Sequence, residues 1–89
     1  MDVQTKNAVA KYLRGEILRT RNNLNISQAK MADLLGISTR GYRSLEAGES
    51  CCALLTVLLF WRNCCLDKEK FLTGLASIVD AGVMDELFD

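Results

Sequence analysis

Apolar residues recur at three- and four-residue intervals along most of the chain, and nowhere do they alternate with polar ones as a half-buried strand requires. Val9, Leu13, Ile17 and Leu24, with Val3 and Tyr12 beside them, predict a first helix over about residues 3–22, closed by Asn22-Asn23. Ser27 is a good N-cap for a second helix over 28–35, because its hydroxyl accepts from free N–H groups of the first turn. Gly36 follows, free to take the left-handed conformation that ends helices. Ser38 opens a third helix, 39–46, which stops at Ala47-Gly48. Ser50 is the expected cap of a fourth, 51–64, and Asp67 the start of a fifth, 67–80, with Gly82 past its end. Residues 83–88 read as one more turn or a tail. The expected fold is all-α: five helices in a single domain, 1–89.

The fourth segment departs from amphipathic patterning. Ala53, Leu54, Leu55, Val57, Leu58, Leu59, Phe60 and Trp61 make it apolar on nearly every side, and such a helix is buried on every side. The fifth adds a stripe of Phe71, Leu72, Leu75, Ile78 and Val79. So short a chain covers a limited share of its apolar surface. The pattern therefore points to a homodimer packed through helices four and five (51–80), with Trp61, Phe71, Leu75 and Ile78 at the contact.

Composition narrows the function classes. The chain has 11 basic and 11 acidic residues and a formal net charge of zero. The charges are not evenly spread: residues 1–50 balance at +3 and residues 51–89 at −3. A basic half joined to an acidic half suits one face turned to a polyanion and one turned elsewhere. The first twenty residues are polar and hold no apolar leader segment. The run from Ala53 to Trp61, even with the flanking cysteines, reaches only about 15 residues, short of a bilayer span. A cytoplasmic protein without membrane contact is expected.

Four cysteines form two vicinal pairs, Cys51-Cys52 and Cys64-Cys65. If one helix joins them, a rise of ~1.5 Å per residue puts the pairs roughly 20 Å apart. One tetrahedral zinc, with Zn–S near ~2.3 Å, cannot collect both. No metal site is expected. Cysteines act as small hydrophobes in packing, so buried, reduced thiols are the expectation, with an intermolecular or redox role as the alternative.

The most informative stretch is SQAKMADLLGISTRGYRSLEAG, residues 27–48. Its inward positions are Met31, Ala32, Leu35, Ile37, Tyr42 and Leu45. Ala32 is small where two helices cross closely, Gly36 permits a sharp turn, and Ile37 plugs the corner. That is the geometry of a helix-turn-helix, whose second helix is free to enter a groove. With the inward set removed, the third helix presents Thr39, Arg40, Arg43 and Ser44.

Ser27-Gln28, Met31-Ala32, Leu35-Gly36, Ile37-Ser38 and Leu45-Glu46-Ala47-Gly48 have the spacing and residue types of a known pattern. The stretch resembles the helix-turn-helix of the lambdoid-phage Cro and repressor family, also called the XRE family, over about residues 12–62. The resemblance implies a lambda-repressor-like DNA-binding domain, and a transcription regulator whose partner is double-stranded DNA. It implies that Thr39, Arg40, Arg43 and Ser44 face base edges, Arg40 first, since arginine pairs with guanine O6 and N7. It implies phosphate contacts for Gln28, Ser38 and Lys30, with Gln28 helped by its helix N-terminus. Arg43 could equally hold a phosphate. Arg21 and Glu46 match a family ion pair that ties the first helix to the third. Tyr42 stands where the family usually has a branched aliphatic, and its hydroxyl needs a partner if buried.

An enzyme is not expected. The chain has no histidine and no glycine-rich phosphate loop. Neither a cofactor nor a small-molecule ligand is implied, and no sensing domain follows the fifth helix within the 89 residues. A neutral chain can still bind DNA, because Arg19, Arg21, Lys30, Arg40 and Arg43 lie in or near the motif and dimerisation doubles their face. The expected regulator is a repressor on an inverted repeat. The alternative is a protein-interaction module or an antitoxin-like, partner-binding protein.

Overall fold

The computed structural model describes residues 2–88, with side chains through Gly82. The chain runs α1 (Val3–Leu24), α2 (Gln28–Leu35), α3 (Thr39–Glu46), α4 (Leu54–Asn63) and α5 (Lys68–Phe88), with no strand among the described residues.

Local chemistry sets most of the ends. Asp2 caps α1 by accepting from the Thr5 amide at 2.7 Å. α1 continues two residues beyond Asn22 because Asn25, not the Asn22-Asn23 pair, takes the left-handed conformation (φ 55°) that closes the helix. Ser27 and Ser38 cap α2 and α3 through the amides of Lys30 and Gly41. Gly36 sits at φ 70°, and a Cβ there would lie 2.9 Å from Leu59 Cδ1. Both the sign of φ and the closeness of α4 therefore require glycine.

The core lies where α1, α2, α3 and α4 meet, and Ile17, Met31, Leu35, Tyr42 and Phe60 are its largest fully buried side chains. Leu13, Ala32, Leu45, Cys64 and Phe71 complete it. Ile37 packs against this cluster, and its amide bonds to the Ala32 carbonyl at 3.0 Å across the turn.

α5 lies antiparallel along α1. Near its start, Phe71 stacks on Tyr12 with centroids 5.8 Å apart and meets Phe60 edge-on at 5.4 Å. The Tyr12 hydroxyl donates to the Phe71 carbonyl at 3.0 Å. The Tyr12 phenol fills the space left by the missing side chain of Gly74, and Thr5 does the same at Gly82. Gly82 therefore lies inside α5 instead of ending it. α5 runs through Phe88, beyond the expected stop at residue 80, because close packing on α1 outweighs the weak helix preference of glycine.

Four further expectations are corrected. α4 begins at Leu54, not Cys51, and Ala53 rather than Ser50 holds its N-cap position, without a side-chain cap. Cys51 and Cys52 belong to the connection that carries the chain from α3 to α4, with Cys52 tucked against the core. α4 is not buried all round: Thr56 and Phe60 face inward, while Leu54, Leu55 and Leu58 are 76%, 67% and 52% exposed. The described residues cover one side of α4 and leave the other open, as so short a chain buries a limited share of its surface. Phe71, expected at a subunit contact, lies inside the protomer's own core at 4% exposure, clamped between Tyr12 and Phe60. The cysteines, all four free, are also not uniformly buried: Cys64 is, Cys52 and Cys65 are half-buried, and Cys51 is exposed.

Candidate nucleic-acid interface

α2 and α3 pack against each other across a short turn held by Gly36, Ile37 and the Ser38 cap. Gly41, in the first turn of α3, sits close against the cap: an added Cβ would stand 3.1 Å from Ser38 Oγ, so the cap hydroxyl would have to shift. Tyr42 and Leu45 anchor the inner side of α3. Its other side carries Arg40 and Arg43, both exposed, with Thr39 and Ser44 half-buried beside them. Arg40 has no ion pair or side-chain hydrogen bond among the described residues. Lys30 and Ser38 are exposed and Gln28 is half-buried at the start of α2.

One carboxylate organises this surface from below. Glu46, on the last turn of α3, accepts from Arg21 Nε at 2.5 Å and from the Tyr42 hydroxyl at 2.6 Å, both on Oε1. Its Oε2 accepts from Gln28 Nε2 at 2.8 Å and from Arg21 Nη2 at a long 3.5 Å. Arg21 also donates through Nη1 to the Ile26 carbonyl at 3.1 Å, which ties the α1–α2 connection to the same cluster. Gln28 passes the bonding outward, its Oε1 accepting from Arg43 Nε at 3.3 Å. Burial pushes the Glu46 carboxyl up, but the hydrogen bonds from Tyr42, Gln28 and Arg21, with the Arg21 charge, outweigh this and hold it below its ordinary value. Burial, followed by the bond to Glu46, raises the Tyr42 phenol. The cluster is thus a carboxylate–guanidinium pair with a neutral phenol and a neutral amide as added donors.

The structure brings Arg21, Glu46, Gln28 and Arg43 together, and leaves Arg40, Lys30, Thr39, Ser38 and Ser44 outside the cluster. Tyr42 as a donor to Glu46 was missed in sequence, although the i, i+4 spacing on one helix carries the signal. The Gln28–Glu46 and Gln28–Arg43 bonds join residues 18 and 15 apart on different helices, and no local pattern announces them. Trp61, Leu75 and Ile78, expected at a subunit contact, are half-buried. Trp61 and Leu75 pack on the protomer's own core, and Lys68 Nζ lies 5.7 Å from the centre of the Trp61 ring.

Residues 17–58, from the middle of α1 into α4, match the family model described as helix-turn-helix. The match supports a helix-turn-helix regulator of the Cro/repressor type. No curated protein and no solved structure matches the chain. The matched segment of this helix-turn-helix protein contains every residue of the Glu46 cluster and all of the exposed face of α3. The match supports a DNA-binding helix-turn-helix regulator. No described helix of the protein is long and apolar enough to cross a membrane.

Proposed function

We propose that this DNA-binding regulator is a repressor that reads an inverted-repeat operator as a homodimer. The observation that carries the reading is the state of α3: fixed at its N-terminus by Ser38 and at its last turn through Glu46, it holds Arg40 exposed and, among the described residues, unpaired. A rigid helix with a free guanidinium suits bidentate pairing with guanine in the major groove. Thr39 and Ser44 flank it as shorter readers, while Lys30, Gln28 and Ser38 serve the phosphates on the α2 side. The surface of α4 supports the dimer, because Leu54, Leu55 and Leu58 make a contiguous exposed apolar stripe of the kind that marks interaction sites. Two recognition helices related by a two-fold axis meet half-sites one turn apart, about 34 Å, which is why the operator is a repeat. A dimer seated there blocks other proteins from the same DNA, and repression follows without any further domain.

Selection from a random duplex pool tests this, with wild type beside Arg40→Ala. Enrichment of an inverted repeat by the wild type, blurred at one position per half-site in the variant, is the expected result. A reporter gene placed behind the selected sequence should then lose expression when the protein is present. Failure to enrich any duplex at low salt would turn the search to a protein partner.

A further inference from the structure

Tyr42 is the largest fully buried side chain of the protein, and the only polar atom of that side chain is spent on Glu46 Oε1 at 2.6 Å. That placement affects how the carboxylate divides its oxygens. An arginine and a carboxylate left alone prefer the paired fork, two parallel N–H···O bonds of similar length. Here the fork is lopsided, with Arg21 Nε on Oε1 at 2.5 Å but Nη2 on Oε2 at 3.5 Å. The Tyr42 hydroxyl shares Oε1 and holds the carboxylate turned, which leaves Oε2 to Gln28 Nε2 at 2.8 Å. Gln28, so fixed, keeps its Oε1 in place for Arg43 Nε at 3.3 Å. The relay uses one of the five guanidinium N–H donors of Arg43 and one of the two amide N–H donors of Gln28, so both keep donors for DNA. Arg40, one turn earlier on α3, is held by nothing comparable among the described residues.

We propose that Tyr42 is a positioning residue for DNA recognition, whose buried hydroxyl, through Glu46 and Gln28, sets where Arg43 meets the DNA. This rests on the reading that the exposed face of α3 contacts the operator. Without the hydroxyl the carboxylate closes into a full fork with Arg21, withdraws Oε2 from Gln28, and lets Arg43 swing free. The core keeps its ring, so folding and recognition separate. The ordering of Arg43 is then done at the moment of binding instead of before it, which weakens the complex.

A double-mutant cycle on operator affinity tests the relay, with Tyr42→Phe, Gln28→Ala and the pair measured beside wild type. Tyr42→Phe is expected to weaken operator binding about threefold to tenfold in the wild-type background and to add nothing once Gln28 is alanine. Exchange of the Arg43 Nε–H with solvent, followed by NMR in the free protein, gives a readout that a general loss of stability would not single out. It is expected to quicken in Tyr42→Phe while backbone amides of α3 keep their protection. Fully additive losses in the cycle, or unchanged Arg43 exchange in Tyr42→Phe, would overturn the relay even with operator binding intact. A wild-type protein that enriches no duplex would instead overturn the reading of α3 on which the relay depends.

Discussion

Arg21 and Glu46, 25 residues apart, form a 2.5 Å ion pair that fastens the last turn of α1 to the last turn of α3. Their side chains are 19% and 13% exposed, so the pair is largely withdrawn from water and from screening by salt. Removing one partner leaves the other short of donors in a dry place. Arg21→Ala should therefore cost about 1–3 kcal/mol of stability by urea denaturation, since hydrogen bonds to charged groups lie in that range. The loss should persist at high salt. A cost that vanished on adding salt would mean a solvated surface pair.

The same carboxylate makes stability depend on pH. Folding holds the Glu46 carboxyl below its ordinary value of 4.5. The ionised form is thus favoured in the folded state, and its contribution is complete above the unfolded value. It is lost as pH falls through the folded one. Wild type should lose more stability than Glu46→Gln when the pH is taken from 7 to below 4.5. Parallel acid curves for the two proteins would contradict the assignment.

Arg40 and Lys30 should fail differently. Arg40→Ala is expected to cost ~1–3 kcal/mol on the selected operator and relax one base position per half-site. Lys30→Ala should weaken all duplexes alike and lower the slope of log affinity against log salt by about 1. Binding measured across salt and across operator variants separates the two. Equal behaviour of the two variants would place Arg40 on the backbone.

Leu58 gives the cleaner test of the dimer. Leu75 packs against the protomer's own core, so a charge there would disturb the fold itself. Leu58 is 52% exposed on the outer stripe of α4, where glutamate meets water in the monomer and a buried interface in the dimer. Sedimentation should show Leu58→Glu shifted toward monomer, with operator affinity lowered in step. A Leu58→Glu protein as dimeric as wild type would remove this stripe from the contact.

Thiol labelling should proceed unevenly. Cys51 is exposed and Cys64 is 5% exposed, with Cys52 and Cys65 between. Burial also pushes the Cys64, Cys52 and Cys65 thiols up, which lowers the thiolate fraction that reacts. One fast thiol per chain is expected with a thiol reagent, and Cys51→Ser should abolish it. Four thiols reacting together in the native protein would refute this placement.

How far the sequence reaches is clearest at the motif. Ser27, Gly36, Ser38 and the spacing of Met31, Ala32, Leu35, Tyr42 and Leu45 determined α2, the turn, α3 and its outward face. Each of these depends on groups a few residues apart: a cap hydroxyl and its amide, a left-handed glycine, a period of 3.6. Tertiary structure decided the rest. Gly82 resembles a helix end until Thr5 of α1 occupies its missing side chain, and α4 resembles a buried helix until the described residues leave Leu54, Leu55 and Leu58 open. The bond from Gln28 to Glu46 and onward to Arg43 arises only when α2 and α3 are folded against each other, because its members come from different helices and nothing in their order along the chain sets their distance.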